Sequence, residues 1–299
     1  MVPVPGFGAE DVVVDDTGAV YTGTEDGCIF RIVGEGRRID RVGRTTGRPL
    51  GLELLPDGRL LVCDAYRGLL ALDLRTGGLE MLAQTAQGER IKVCNNAAVH
   101  SDGRIFFSDS SKVFDLAHWK ADLVQNTGTG RLLCRAADGS VTTLVDGLRF
   151  ANGVALADDE SFVAVAESGG RTVVRHWLTG DRAGETDHLA EDLPGYPDNI
   201  ARGSDGLIWV TLASPVLPVL ERVMGGPMAV RRLVWRLPGP LQPRPERSVR
   251  VLAYDADGRV VHDPSLDSTG YHMVTGVREH RGRVWLGSLE EPGVAYFDL

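Results

Sequence analysis

Few cysteines and no long apolar run are the first features of this 299-residue sequence. The four cysteines, Cys28, Cys63, Cys94 and Cys134, show no CxxC spacing, which argues against a zinc site. Three of them fall in strand-like runs, which favours buried thiols over disulfides. No apolar run approaches the roughly 18–20 residues that cross a bilayer. Residues 1–6 lack the basic region and apolar core of a signal peptide, so we expect a cytoplasmic protein without a transmembrane segment.

Positive charge is also in deficit. The chain has 32 Lys and Arg against 41 Asp and Glu, a formal net charge of −9. Nucleic-acid binding needs a basic field, so this balance argues against a nucleic-acid partner. The partner we expect, from the reaction described below, is a small-molecule substrate. It is compatible with a bound cation. The sequence leaves the oligomeric state open between monomer and dimer.

Short hairpin units are what the sequence does contain. An alternating run, a DG-like turn and a second apolar run recur six times, mostly at intervals of about 40–50 residues. This period predicts an all-β fold, a six-bladed β-propeller in one domain over residues 1–299. A β-solenoid or sandwich is the alternative. Either the C-terminal strand Val294–Phe297 or the N-terminal residues could complete blade 1, and the sequence leaves this choice open.

Two units carry inserts with short helices, one in blade 3 and one in blade 5. The first insert is 111–129, in which Asp115 is a candidate N-cap for a helix over 115–124. The second is 214–248, with amphipathic stretches at 219–224 and 228–235. Both follow second strands, so we expect them at the tunnel mouth where first strands begin. The inserts could either pack on the rim of the propeller or form a lid over a central pocket, and the sequence does not decide between these roles. A membrane-surface role for the Arg/Trp-rich stretch is a further alternative.

One position repeats with the units and marks the functional centre. Glu10, Asn95 and Asp198 each lie eight residues before a turn glycine, and Asn152 lies eight before Glu160 at the equivalent turn. The other two units have Leu50 and Val274 there. Asn and Asp at strand starts are often plain turn residues. Four oxygen-bearing side chains at one position instead predict a site where the innermost strands meet.

Only hard oxygen donors occupy this position. Two carboxylates and two carboxamides suit Ca²⁺, which takes six to eight oxygen ligands. No Cys or His shares the register, which argues against zinc or copper. We therefore expect one Ca²⁺, held by Glu10, Asn95, Asn152 and Asp198.

Four stretches carry a resemblance to a known family. Residues 64–69, 107–111, 150–155 and 193–200 resemble the strictosidine synthase-like proteins, and the likeness covers nearly the whole chain. That family groups with gluconolactonase/senescence marker protein, paraoxonase and diisopropyl fluorophosphatase. The resemblance implies a six-bladed propeller and, from the hydrolytic members, a catalytic calcium in the central tunnel.

The resemblance also implies roles for particular residues. The family pattern of one Glu, two Asn and one Asp matches Glu10, Asn95, Asn152 and Asp198 in order, and Asn199 is a further candidate donor. Paraoxonase-type members hold a second, structural calcium through the two positions that here are Asp11 and Asn96. Asn96 replaces an expected carboxylate, which argues against a second ion.

The reaction we expect is calcium-dependent hydrolysis of a lactone, ester or phosphoester. Asp198 would act as nucleophile or orient the attacking water, and His272 is the candidate general base. For His272 the alternative is a rim histidine bonded to backbone. Condensation of an amine with an aldehyde, the reaction of strictosidine synthase, is the second hypothesis. That enzyme uses a glutamate at the position of Thr275, so the catalytic glutamate is absent here. A calcium-stabilised binding propeller is the third.

Overall fold

Six antiparallel sheets of four main strands each build the structure, a computed structural model that describes residues 1–238 and 241–299. In chain order the strands are β1 (Val2–Pro3), β2 (Val12–Val14), β3 (Val20–Gly23), β4 (Cys28–Val33), β5 (Arg38–Arg44), β6 (Pro49–Leu54), β7 (Leu60–Asp64), β8 (Gly68–Leu72), β9 (Leu79–Ala83), β10 (Thr85–Ala86), β11 (Glu89–Arg90), β12 (Cys94–Val99), β13 (Ile105–Asp109), β14 (Gly130–Arg135), β15 (Val141–Leu148), β16 (Ala151–Leu156), β17 (Phe162–Glu167), β18 (Thr172–Trp177), β19 (Thr186–Ala190), β20 (Gly195–Arg202), β21 (Ile208–Pro215), β22 (Val249–Tyr254), β23 (Val260–His262), β24 (Ser265–Leu266), β25 (Val274–His280), β26 (Arg283–Ser288) and β27 (Gly293–Asp298).

The sheets are the blades of a propeller. Blades 1 to 5 are β2–β5, β6–β9, β12–β15, β16–β19 and β20–β23, and β24 pairs with β22. Strands β10 and β11 form a separate small hairpin. The innermost strands β2, β6, β12, β16, β20 and β25 contact one another around a ring. The all-β six-bladed propeller expected from the repeat is therefore confirmed.

Blade 6 closes the ring with strands from both ends of the chain. Its order is β25–β26–β27–β1, with Val2 opposite Val294. Blade 1 has four strands of its own, so the expectation that Val294–Phe297 or the N-terminal residues complete it was wrong. The N-terminal strand β1 belongs to blade 6 instead. It precedes β2, the innermost strand with which blade 1 begins, so it is left to complete the last blade.

Apolar layers between blades form the core. Each neighbouring pair of blades encloses one cluster of buried side chains, and there are six such layers around the ring. Strands such as β7, β8, β13 and β17 are buried on both faces, because a propeller blade packs against a neighbour on each side.

Both inserts contain short helices. The first has a 3₁₀ turn at Leu116–His118 and α1 (Trp119–Gln125); Asp115 precedes the turn, but its carboxylate contacts His118 Nδ1 at 2.7 Å and caps no backbone N–H. The second has α2 (Pro218–Met224) and α3 (Met228–Trp235). Residues 239–240 of this insert lie outside the described residues. The three helices contact one another above the propeller.

A β-bulge near the start of five innermost strands sets the geometry of the tunnel. The pairing shifts between Pro49 and Leu52, Cys94 and Ala97, Ala151 and Val154, Pro197 and Ile200, and Val274 and Gly276. A bulge re-aims side chains and interrupts the ladder. The bulged positions include Leu50, Asn95, Asn152, Asp198 and Thr275, so one residue of each bulge is available to the tunnel.

The sixth unit departs from the eight-residue spacing. Its inner hairpin has a two-residue turn, Arg281-Gly282, both with positive φ, whereas the equivalent turn in blade 3 holds Ser101-Asp102-Gly103. The shorter turn moves the register by one residue. Val274 is consequently buried between blades 5 and 6, and Thr275 takes the tunnel position that we expected for Val274.

Candidate functional site

One cavity at the mouth of the tunnel contains all six equivalent positions. The first is Glu10, two residues before β2; the others are Leu50, Asn95, Asn152, Asp198 and Thr275. Four of the six carry a carboxylate or carboxamide, and these are the residues expected to hold a cation. The blade register read from the sequence therefore brings those four side chains to a common cavity.

Both inserts supply the upper walls of this cavity. The first contributes Leu116, Trp119, Leu123 and Val124, together with Lys120; α2 and its approach contribute Leu217, Leu220 and Met224. Val124, Tyr196, Leu217, Leu220 and Met224 form one buried cluster. The expectation that 111–129 and 214–248 lie on the side of the candidate ligands is confirmed by this shared lining.

Several buried oxygens at or near the polar end of the cavity have no hydrogen-bond partner. Among the described residues, Glu10 Oε2, Asn95 Oδ1, Asn152 Oδ1 and Asn199 Oδ1 are buried and accept no hydrogen bond. A buried acceptor left without a partner costs about 1–3 kcal/mol. Four of them at one place are unfavourable without a cation, and carboxylate and carboxamide oxygens are the donors that Ca²⁺ takes.

Serine hydroxyls orient the two carboxamides. Asn95 Nδ2 donates to Ser110 Oγ at 3.0 Å, and Asn152 Nδ2 donates to Ser168 Oγ at 3.2 Å. With the amide nitrogen held in this way, the oxygen of each side chain is left free. The equivalent hydrogen bonds in neighbouring blades give both asparagines the same orientation.

The two carboxylates have perturbed acidities. Burial, and then the nearby charge of Asp198, raise the pKa of Glu10 well above its ordinary value. Burial raises the pKa of Asp198 to about 7, and a hydrogen bond from Asn152 acts in the opposite direction. Two carboxylates whose charged forms are disfavoured by burial are stabilised by a neighbouring positive charge.

Hydroxyl groups tie the backbone of adjacent innermost strands together. Ser108 Oγ donates to Asn152 O at 2.5 Å, Ser168 Oγ to Pro197 O at 2.6 Å, and Thr275 Oγ1 to Glu10 O at 2.8 Å. Thr211 Oγ1 contacts Asn199 O and Thr275 O, both at 3.0 Å. These bonds fix the positions of the strand starts that carry the candidate ligands.

A second polar layer lies next along the tunnel. After the six cavity positions, the following residues alternate between polar and glycine: Asp11, Gly51, Asn96, Gly153, Asn199 and Gly276. A Cβ on Gly51 would lie 2.6 Å from Asn96 Cα, one on Gly153 2.0 Å from Ile200 N, and one on Gly276 2.6 Å from Asp11 Cα. Each glycine thus makes room for the strand that carries the polar residue of the next blade.

The three polar residues of this layer are bonded differently. Asp11 Oδ2 accepts from Leu52 N at 2.9 Å, and Asn96 Oδ1 accepts from Val154 N at 2.9 Å. Asn199 instead turns its Nδ2 toward Glu10 Oε1 at 3.4 Å and leaves its oxygen free. Asn199 is therefore the member of this layer that faces the candidate cation site, whereas Asp11 and Asn96 hold backbone N–H groups.

Comparison with known proteins places the chain in a family. The strictosidine synthase model matches residues 95–181, and the strictosidine synthase-like N-terminal model matches residues 2–32. The adipocyte plasma membrane-associated protein of Gallus gallus is 32% identical over 96% of this chain and 74% of its own length. The protein STRICTOSIDINE SYNTHASE-LIKE 13 of Arabidopsis thaliana is 33% identical over 79% of this chain and 65% of its own length.

The chain belongs to the strictosidine synthase-like family.

Solved structures of other proteins share the propeller fold. A gluconolactonase from Xanthomonas campestris superposes with a TM-score of 0.71 at 15% identity, over 100% of this chain and 88% of that chain. A calcium-binding regucalcin from Agrobacterium tumefaciens gives 0.62 at 16% identity, over 95% and 82%. The strictosidine synthase-like chain thus shares the propeller of the gluconolactonase and regucalcin proteins.

His272 does not reach the cavity of this strictosidine synthase-like protein. Its Nδ1 contacts Glu291 Oε1, and its Nε2 lies 3.1 Å from Glu290 Oε2 and 3.3 Å from Arg247 Nη1. Met273 and Thr275 line the cavity, and His272 is not among its described lining residues. The alternation of side chains along the entry to β25 directs His272 to the rim, so we do not carry forward its role as general base.

Several features of the site were not expected from the sequence. The serines that orient Asn95 and Asn152 occur just after the second strands, at Ser110 and Ser168, and this shared position was a usable signal. The alternation of glycine and polar residues after the cavity positions was another. Among the described residues, no three His, Cys, Asp or Glu side chains form a cation cluster, because the candidate set mixes carboxylates with carboxamides. No described helix is long and apolar enough to cross a membrane.

Proposed function

We propose that this protein is a calcium-dependent hydrolase of lactones, esters or phosphoesters. The observation that carries the proposal is the group of buried, unpaired oxygens on Glu10, Asn95 and Asn152, which line one apolar cavity together with Asp198. Asn199, beside Glu10, has a further unpaired oxygen. Glu10, Asn95, Asn152 and Asp198 would hold the ion, with Asn199 as a further donor. The gluconolactonase and calcium-binding regucalcin that share the fold are in keeping with this proposal.

Each part of the site has a distinct task in this hydrolysis. A Ca²⁺ held by Glu10, Asn95, Asn152 and Asp198 would supply Lewis-acid polarisation of a carbonyl or phosphoryl oxygen and would stabilise negative charge there. Asp198, the candidate ligand that is partly exposed to the cavity, acts as nucleophile or holds the attacking water in position. Glu10, Asn95 and Asn152 are more deeply buried than Asp198, so their task is to hold the ion.

The walls favour a substrate with an apolar body. Leu50, Trp119, Leu217 and Met224 surround the polar end, and apolar walls exclude water and bind hydrocarbon. We therefore expect acyl or aryl esters and alkyl-substituted lactones to react faster than small polar ones. We also propose that residues 1–299 are one domain, and the cytoplasmic location stays a prediction.

Condensation of an amine with an aldehyde has less support. Thr275 occupies the position where the resemblance implies a glutamate, and its hydroxyl donates to Glu10 O. The side chain is 1% exposed and cannot exchange protons with a substrate as a carboxylate would. No observation favours this second activity, and we do not propose it.

A panel of lactones, aryl esters and organophosphates, with Ca²⁺ and with chelator, tests the hydrolase. We expect turnover of at least one class that is lost on chelation and restored by Ca²⁺. Arg75→Ala, a change in an exposed arginine of blade 2, is the matched control and should keep full activity. Activity that persists in saturating chelator, or an inactive protein whose melting temperature alone responds to Ca²⁺, would contradict the proposal; the second result would favour a binding propeller.

A further inference from the structure

The outer side of α2 and α3 is unlike the rest of the surface. The three most exposed large apolar side chains of the described residues are Leu241, Leu233 and Val219, with 67%, 63% and 61% of each exposed. Val230 and Met228 are exposed nearby. Single exposed apolar residues are ordinary, but a group of them on one small element marks an interaction surface. We call the exposed side of residues 218–238, together with Leu241, the cap face.

The helices below this face are two-sided. Leu220 and Met224 of α2 are buried and line the cavity, while Val219 and Arg222 of the same helix are exposed. Val234 and Trp235 of α3 pack partly against the buried cluster, while Leu233 points away from it. The apolar residues of the cap face therefore do not contribute to the packing that holds α2 and α3 on the propeller.

The net charge of the second insert, which carries the cap face, is opposite in sign to that of the whole chain. Residues 214–248 contain six arginines and two glutamates, a net charge of +4 in a chain of −9, so the remaining 264 residues carry −13. Arg222, Arg232 and Arg236 are exposed, and none of the ion pairs found among the described residues includes them. Arg231, in contrast, turns inward and donates to Gln125 O at 2.8 Å.

We propose that the cap face docks on an anionic lipid bilayer. Exposed apolar side chains flanked by arginines on a short amphipathic helix match helices that lie in the bilayer interface. Anionic headgroups attract basic side chains near the surface, and the acidic remainder of the molecule is repelled by the same charge. Charge complementarity therefore selects both this partner and the orientation, with the blades away from the lipid.

Docking in this orientation places the cavity next to the bilayer. The helices that contact lipid on their outer side form the cavity wall on their inner side, through Leu217, Leu220 and Met224. An apolar substrate dissolved in the membrane would then lie close to the site. Binding itself depends on the cap alone and not on a cation, so failure of this proposal leaves the hydrolase proposal standing, and the reverse also holds.

Vesicle flotation of the full chain is the test. We expect binding to vesicles of phosphatidylcholine with 30% phosphatidylserine, and at least about tenfold weaker binding to phosphatidylcholine alone. R232A/R236A should lower the partition coefficient by about 25-fold, since each arginine near the surface contributes roughly fivefold. Leu233→Ser should lower it by about tenfold through lost apolar insertion. Salt should weaken binding of the wild type more than that of R232A/R236A.

Matched controls separate the cap face from surface effects in general. Val260→Ser is the control for Leu233→Ser, because it replaces an apolar residue, 53% exposed, on the outer strand of blade 5. Arg75→Ala is the control for R232A/R236A, because it replaces an exposed arginine of blade 2. Both should bind like the wild type, and all variants should keep the wild-type melting temperature. Absent binding, equal binding to both vesicle types, or equal loss in the controls would overturn the proposal. So would a dimer, seen by light scattering without vesicles, that Leu233→Ser converts to monomer, because the face would then join two copies.

Discussion

At the scale of single residues, the site combines charge that is costly to bury with oxygens that lack partners. Glu10 and Asp198 are the two carboxylates, and burial raises the pKa of both. Asn95 and Asn152 are fixed by serine hydroxyls so that their oxygens face the same space. The sequence could predict which side chains converge, because their spacing follows the blades. It could not predict that His272 turns to Glu290 and Glu291, since neither partner shares that spacing.

Replacing the two carboxylates should separate chemistry from ion binding. Asp198→Asn keeps an oxygen but loses the charge and nucleophilicity, so kcat should fall by about 10²–10⁴-fold even at saturating Ca²⁺. Glu10→Gln should mainly weaken ion binding, by at least about 100-fold, and excess Ca²⁺ should partly restore its activity. Titration calorimetry and steady-state kinetics measure both. Full rescue of Asp198→Asn by Ca²⁺ would remove Asp198 from the chemical step.

The raised pKa of Asp198 predicts how stability depends on pH. Its folded-state pKa of about 7 lies above the ordinary value of about 3.9, so without cation the folded state prefers the protonated form. The free energy of unfolding should therefore fall as pH rises from about 4 to about 7. Ca²⁺ stabilises the charged form, so the gain in melting temperature from Ca²⁺ should grow between pH 5 and pH 8. Asp198→Asn should reduce that growth, and a gain independent of pH would contradict the assignment.

At the scale of the strand, the bulges and glycines give the tunnel its two layers. Hairpin patterns in the sequence predicted the second and third strands closely, because alternating apolar runs are bounded by glycine turns. They misplaced the cavity position of blade 6 at Val274, since a turn one residue shorter moves the register to Thr275. They also did not show why Gly51, Gly153 and Gly276 alternate with polar residues, because that reason is contact with a distant strand.

A methyl group at Gly153 should disturb the ring of innermost strands. The added Cβ would lie 2.0 Å from Ile200 N, so β16 or β20 must shift, and overpacking of this kind costs about 1–3 kcal/mol. Gly270→Ala is the matched control, because its Cβ meets nothing within 4 Å. Urea unfolding should show a lower free energy of unfolding for Gly153→Ala only. Equal stability of the two variants would mean that the strands do not depend on this close approach.

At the scale of the whole molecule, a ring of blades is closed by joining the chain ends. The repeat predicted six blades and the location of both inserts, but pairing of β1 with β27 connects residues almost 300 positions apart, which local patterns do not reveal. Val2 and Val4 are buried between blades 6 and 1. Val2→Asp would bury a charge without a partner, so thermal melts should show a markedly lower melting temperature. Glu25→Ala, on an exposed loop of blade 1, is the control and should melt like the wild type.

The most direct measurement is a crystal structure grown with Ca²⁺, with anomalous scattering recorded after replacement by a lanthanide. We expect one strong peak at the polar end of the cavity, with side-chain oxygens of Glu10, Asn95, Asn152 and Asp198 about 2.3–2.6 Å from the calcium. A peak elsewhere, or none at saturating Ca²⁺, would contradict the cation site and with it the proposed hydrolysis.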